Sequence, residues 1–201
     1  MNNVGDTESR LHEDIPSVLA GMLAGLESLW TVKQALHSSM AYDFSLFNFI
    51  SPHENMLSKI LAFFLNPAEV HGQGDVFVKE FLSYFKLTDA LARVEKGSPV
   101  TIRTETRTKK NRRIDITIDI GGNYWIGIEN KVDAVDQPSQ ISDYVEDLGS
   151  RSHKESFVVL YLSPNGRKPD EGSASTALVN ELGPEGKNKL RFISYRDDIY
   201  Q

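Results

Sequence analysis

The sequence predicts an α/β protein in which a mixed β-sheet is flanked by helices and preceded by an N-terminal helical extension. Three observations lead there. Apolar residues recur every three to four positions through about residue 86, and the pattern changes to two-residue alternation from Pro99 onward. Two β-type runs, Arg113–Ile120 and Tyr124–Glu129, flank Gly121-Gly122-Asn123, a turn whose residues tolerate positive φ and so join antiparallel neighbours. A helical stretch then separates Tyr124–Glu129 from the continuous apolar run Phe157–Leu162. Strand, helix, strand implies a right-handed crossover between parallel strands.

Residues 1–13 are polar and are expected to form a disordered tail, and residues 14–50 the helical extension. Within the extension Val18, Leu19, Met22, Leu23, Leu26, Leu29, Trp30, Val32 and Leu36 lie on one face of a helix from Ile15 to Leu36. That stripe either covers the core or pairs two copies of the chain as a homodimer. Residues 41–50 read as a packed connector. The core is expected over 51–201, beginning with Ser51 as N-cap, Pro52 in the first turn and Glu54 three residues after the cap, a capping-box spacing. The helix body Asn55–Leu65 stops at Asn66-Pro67. Asp75 caps a second helix, Val76–Lys86, with Phe77, Val78, Phe81, Leu82 and Phe85 inward. Leu87–Ser98 reads as a helical turn and a loop.

The first strand is Val100–Thr108, and Lys109-Lys110-Asn111 form a hairpin tip. In the second strand Ile114, Ile116, Ile118 and Ile120 face one way and Asp115, Thr117 and Asp119 the other. Gln137–Gln140 opens a helix that carries Ile141, Tyr144, Val145 and Leu148 and closes at Gly149. The run Phe157–Leu162 is apolar on both faces, as a buried strand is. Ser163–Lys189 reads as a mobile loop with a helical piece at Ala177–Leu182. Leu190–Tyr195 is the last strand, and Arg196–Gln201 looks like the first turn of a helix cut short.

Composition sets the outer limits. The chain has 201 residues, enough to bury a core without staples. It has no cysteine, which excludes disulfides, thiolate zinc sites and a cysteine nucleophile. The N-terminus lacks the basic and apolar regions of a signal peptide, and no apolar run is long enough to span a bilayer. A cytoplasmic location and no membrane partner are expected. The net charge of −6 counts mildly against nucleic acid, but charge distribution matters more than its sum. Arg103, Arg107, Lys109, Lys110, Arg112 and Arg113 form one dense cationic patch opposed only by Glu105. Such a patch is either a solvated hairpin tip or a surface that contacts phosphates without reading bases.

The chemistry converges on the ends of two paired strands. Asp115, Glu129 and the Lys131 amine can meet there, holding a hard divalent cation with an ammonium beside it. Asp119 lies toward the far end and reads as a solvated strand residue. His53 and His71 lack zinc-site spacing and read as cap or loop residues.

Ile114-Asp115, then thirteen residues, then Glu129-Asn130-Lys131, on a β-meander followed by a helix, resembles the PD-(D/E)XK nuclease superfamily. Ile114 stands where the nominal motif has proline, a position that varies often. Glu54 matches the acidic position on the helix before the sheet. Gln140 and Tyr144 match the Gln-xxx-Tyr arrangement of the phage-exonuclease-like branch, and the stretch from Glu54 through IENK is similar to an uncharacterised prokaryotic family within it. The resemblance spans about Ser51 to Tyr195. It implies a restriction-endonuclease-like core and a Mg²⁺-dependent nuclease acting on DNA, with Mn²⁺ as a substitute. Asp115 and Glu129 would hold the ion, the Asn130 carbonyl would supply a third oxygen, and Glu54 would complete the shell directly or through water. Lys131 would orient the attacking water or stabilise the pentacoordinate charge. Gln140 and Tyr144 would orient Lys131 or contact the substrate. The alternative is a non-catalytic nucleic-acid or protein-binding module on the same fold.

Overall fold

The computed structural model describes residues 26–32, 53–153 and 156–199. Residues 26–32 are helical, as the N-terminal stripe predicts. The rest of the Ile15–Leu36 helix, the 1–13 tail, the 41–50 connector, Ser51 with Pro52, and the face suggested for a homodimer lie outside the described residues. The chain divides into two compact units, 1–51 and 52–201, and the second carries the sheet.

The second unit runs α1 (Glu54–Leu65), α2 (Val76–Tyr84), α3 (Thr88–Glu95), β1 (Val100–Arg107), β2 (Arg113–Ile120), β3 (Tyr124–Asn130), α4 (Gln140–Arg151), β4 (Phe157–Ser163), α5 (Thr176–Leu182) and β5 (Leu190–Ser194). A single wide π-type turn, Tyr195–Ile199, follows where the sequence suggested the start of an α-helix. The sheet order is β1-β2-β3-β4-β5. The first three strands are antiparallel, and β3, β4 and β5 are parallel. The architecture is therefore α/β with a mixed sheet, as predicted.

The β2–β3 connection follows from its residues. Gly121 and Gly122 adopt φ of 65° and 71°, which a Cβ would strain. Asp119, expected to be merely solvated, holds this turn by accepting from the Gly122 N–H at 2.8 Å. On one face of the sheet, Val78, Leu82 and Ala90 of the N-terminal helices pack on Ile116, Ile118, Ile126 and Ile128. On the other, Ile141, Tyr144 and Leu148 of α4 pack on Ile114, Val159 and Tyr161. Helix and strand approach closely at Gly127, where a Cβ would stand 2.7 Å from the Leu148 Cδ1 atom.

Several local expectations are corrected. Ile114 does not share the face of Ile116, Ile118 and Ile120; it packs in the α4 cluster. The alternation breaks because the β2–β3 ladder ends at Ile116↔Ile128, so the first residues of β2 have no β3 partner to hold them in the pleat. Phe77 is not inward: it is 36% exposed and meets Phe64 and His71 edge-on. Asp75 stands at the N-cap of α2 without capping it, because its carboxylate pairs with Lys79 at 2.8 Å. Leu87–Ser98 contains the eight-residue helix α3 rather than a turn and loop. α4 also runs past Gly149 to Arg151.

Candidate active site

The site is made where β2 and β3 part. Beyond Ile116↔Ile128 the strands no longer exchange backbone hydrogen bonds. The Asp115 side chain takes over: its Oδ2 accepts from the Asn130 N–H at 2.8 Å. A carboxylate thus replaces a strand carbonyl, and the splay leaves room between the two strand ends. At the same level Glu105 of β1 adopts φ of 50°, and the β1–β2 register passes from Thr104↔Ile116 to Thr106↔Ile114 without pairing Glu105 and Asp115.

On its other side β3 continues pairing with β4, and the Lys131 N–H bonds the Leu162 carbonyl at 2.8 Å. Glu129 faces α4. Its Oε1 accepts from Gln140 Nε2 at 2.6 Å and pairs with Lys131 Nζ at 3.0 Å. Its Oε2 is buried with no hydrogen-bond partner. A buried carboxylate oxygen without a donor is costly in a folded protein, and sites for ligands are a recurrent reason for one. Burial and the neighbouring Asp115 charge push the Glu129 carboxyl up to about 8, against the opposing pull of Lys131. Burial also raises Asp115, against the Asn130 N–H and Lys131. For Lys131 burial works the other way, but the Glu129 charge outweighs it and the ammonium is held above its ordinary range. Burial is the larger cause for both carboxyls, and Lys131 offsets it only in part.

Gln140 and Tyr144 reach Lys131 only through Glu129, whose Oε1 both Gln140 and Lys131 bond. Gln140 is the first residue of α4, and its Nε2 bridges Glu129 and the Tyr144 hydroxyl at 2.6 and 3.0 Å. The Tyr144 hydroxyl donates to the Arg113 carbonyl at 2.5 Å. A hydrogen-bond chain therefore runs from the start of β2 through α4 to the Glu129 carboxylate. Being 1% exposed, Tyr144 presents little surface to a substrate.

Glu54 lies on the wall of the same cavity, a space of about 520 Å³ also lined by Asp115, Glu129, Lys131 and Gln140. Its carboxylate does not serve its own helix: Oε1 accepts from the N–H groups of Val132, Asp133 and Ala134 at 2.8, 3.1 and 2.9 Å. Among the described residues no group of three or more His, Cys, Asp or Glu side chains is arranged to hold a metal ion. Asn130 turns its side chain toward α1, donating to the Glu54 carbonyl and Ser58 Oγ at 3.0 and 3.1 Å and accepting from the Tyr195 hydroxyl at 3.1 Å. Only its main-chain carbonyl is left for a ligand role.

The cationic patch is less free than its sequence suggests. Lys110 pairs with Asp143 and Glu146 at 2.8 and 2.7 Å. Arg112 binds Asp143, Gln137 and the Pro138 carbonyl. Although burial opposes it, these two cations hold Asp143 below the usual carboxylate range. Arg113 pairs with Glu105 at 3.0 Å, Lys109 Nζ bonds Ser150 at 2.8 Å, and Arg107 bonds Asn111. Lys110, Arg112 and Arg113 line the cavity; Arg107 and Lys109 do not. His53 and His71 also stay out of it: His53 is the N-cap of α1, and His71 bonds Asn66 and Gln73 within its own loop.

Several residues of the site escaped the sequence. Asp143, Glu146 and Asp147 are spaced three and four apart on α4, a pattern that could have announced an acidic face meeting the basic hairpin. Asp136 gave no such signal. It sits in the irregular segment after Lys131 and binds the Tyr161 hydroxyl at 2.8 Å, Arg167 at 3.0 Å and the Asp170 N–H at 2.9 Å, which ties that segment to the loop after β4.

A family model for the PD-(D/E)XK nuclease superfamily matches residues 44–201. No curated protein and no solved structure matches the chain.

Proposed function

The chain belongs to the PD-(D/E)XK nuclease superfamily, and on that premise we propose that it is a metal-dependent nuclease that hydrolyses phosphodiester bonds in DNA. The observation that carries the reading is the convergence of Asp115, Glu129 and Lys131 at one splayed strand end, with the Glu129 Oε2 buried and unpartnered. The donors fit a hard divalent cation: two carboxylates and a main-chain carbonyl are the oxygen ligands Mg²⁺ takes while keeping several waters, and Mn²⁺ accepts the same set. Asp115, Glu129 and the Asn130 carbonyl would hold the ion, with water completing its shell. A cation bound there lends Lewis-acid charge to the scissile phosphate and acidifies the attacking water.

The chain's own groups supply the rest. Lys131 Nζ, fixed by Glu129 and by burial, donates to the water or to the charge developing on phosphorus oxygen, where exclusion of solvent makes a fixed ammonium most effective. Gln140 holds Glu129, and Tyr144 holds Gln140. Lys110, Arg112 and Arg113 on the cavity wall favour a polyanion, although each is already paired with an acid. A binding module without catalysis has less support, because the acid and lysine set is complete.

The direct test is cleavage of closed-circular, linear and single-stranded DNA with Mg²⁺, Mn²⁺ or EDTA, beside Lys131→Ala and Asp115→Ala. Metal-dependent cutting lost in both variants is expected. Undiminished cutting in either would reject this site.

A further inference from the structure

We infer that Glu54 is the positioning residue of Lys131, acting through the Asn130 side chain before the lysine and the main-chain amides after it; this rests on the nuclease reading above. The geometry is a two-sided clamp. Residue 130 precedes the lysine, and its side-chain amide donates to the Glu54 carbonyl at 3.0 Å. Residues 132, 133 and 134 follow the lysine, and their three N–H groups converge on one Glu54 oxygen at 2.8 to 3.1 Å. Three successive amides around one oxygen form the concave nest that ordinarily takes an anion, and here the anion is part of the chain.

The chain needs such a clamp at this point. Lys131 has left the strand: its N–H still bonds Leu162, but β3 ends at Asn130 and the segment up to Ser139 has no regular structure. Without Glu54, the three amides after the lysine would lose their partner, and the lysine would be anchored from one side only. The side chain itself is held to Glu129 by a single 3.0 Å contact, which a loose backbone would not preserve. Glu54 also faces the wrong way for its local role. A capping-box glutamate turns back to its own N-cap, whereas this one crosses from α1 to a segment 78 to 80 residues away.

The test separates reach from charge. Glu54→Gln keeps an oxygen for the nest and removes the charge that a metal ligand needs; Glu54→Ala removes both. Cleavage of linear duplex DNA with Mg²⁺ gives kcat, and Mg²⁺ titration gives metal affinity. Hydrogen exchange at the Val132, Asp133 and Ala134 amides reads the clamp independently of activity. The expected result is that Glu54→Gln keeps amide protection and kcat within about threefold, while Glu54→Ala loses protection and about a hundredfold in kcat, the scale of an ångström-sized misplacement. An unfolded Glu54→Ala beside an active Glu54→Gln supports the same conclusion. Glu54→Gln falling as far as Glu54→Ala in kcat or metal affinity would overturn it, as would unchanged protection in Glu54→Ala. If the wild type cuts no DNA, the nuclease reading fails and exchange still decides whether the clamp exists.

Discussion

Replacing Glu129 by glutamine should make the metal-free protein more stable at high pH while removing a ligand of the proposed metal site. The Glu129 carboxyl rises from 4.5 in an unfolded chain to about 8 in the folded one, chiefly through burial and then through Asp115. Between those values the folded state holds a proton that the unfolded state has released. Its contribution to stability is therefore fully present below pH 4.5 and is lost as pH rises through 8. At about 1.4 kcal/mol per pH unit, the whole rise is worth up to roughly 5 kcal/mol. Glutamine copies the shape of the protonated acid and still offers an oxygen to Gln140 and Lys131, so it does not pass through this loss. Urea unfolding in EDTA at about pH 5 and about pH 9 reads the difference. Wild type should lose several kcal/mol more than Glu129→Gln over that interval, and the variant should be the more stable of the two at the alkaline end. Adding Mg²⁺ there should stabilise the wild type alone, since a cation replaces the missing proton. Parallel pH profiles for the two proteins would refute the argument that Glu129 is held protonated by its surroundings.

The remaining predictions are more local. Gln140→Ala should lower metal affinity or kcat by about 10- to 100-fold, as loss of a group orienting a ligand does, measured by Mg²⁺ titration of cleavage. Tyr144→Phe should cost about 1–3 kcal/mol in urea unfolding, because the Arg113 carbonyl loses its donor and the buried Gln140 amide an acceptor. Gly127→Ala should cost a similar amount, about 1–3 kcal/mol, since the new methyl would meet Leu148 at 2.7 Å; unchanged stability would show that α4 yields there. Glu146→Ala relieves Lys110 of one of its two acids and should tighten DNA binding a few-fold at low salt, with a steeper salt dependence.

Much of the fold was legible because its strands carry strong local signals. β2 begins and ends where the alternation of isoleucines does, and the Gly-Gly-Asn turn fixes its antiparallel partner. β4 reads as a buried strand because nothing polar interrupts it. The acid and lysine of the site were legible for the same reason: they sit at the ends of those strands. What sequence could not show are contacts made across long separations. Nothing near Glu54 announces that it will bind amides at 132–134, and a capping-box spacing offers a nearer explanation that the structure sets aside. Ile114 changed faces because alternation describes a strand held by its neighbours, and the neighbour on that side has left. The basic hairpin looked like a docking surface because its counter-charges lie on a helix some thirty residues later.

The same departure of β3 from β2 accounts for both the chemistry and its cost. If the ladder had continued, the Asn130 N–H would have bonded a carbonyl of β2, and Asp115 would have kept the pleat. With the ladder ended, Asp115 must satisfy that N–H itself, which fixes its carboxylate on the wall of the cavity that Glu129 also lines. Hydrogen bonds from α1, β3 and α4 then keep the opening in shape: Tyr144 holds the start of β2, Gln140 holds Glu129, and Asn130 and Glu54 hold the chain around Lys131. These supports come from both faces of the sheet, so neither helix layer alone would preserve the site. Burial raises both the Asp115 and the Glu129 carboxyls, and on the proposed nuclease reading a divalent cation would relieve both at once.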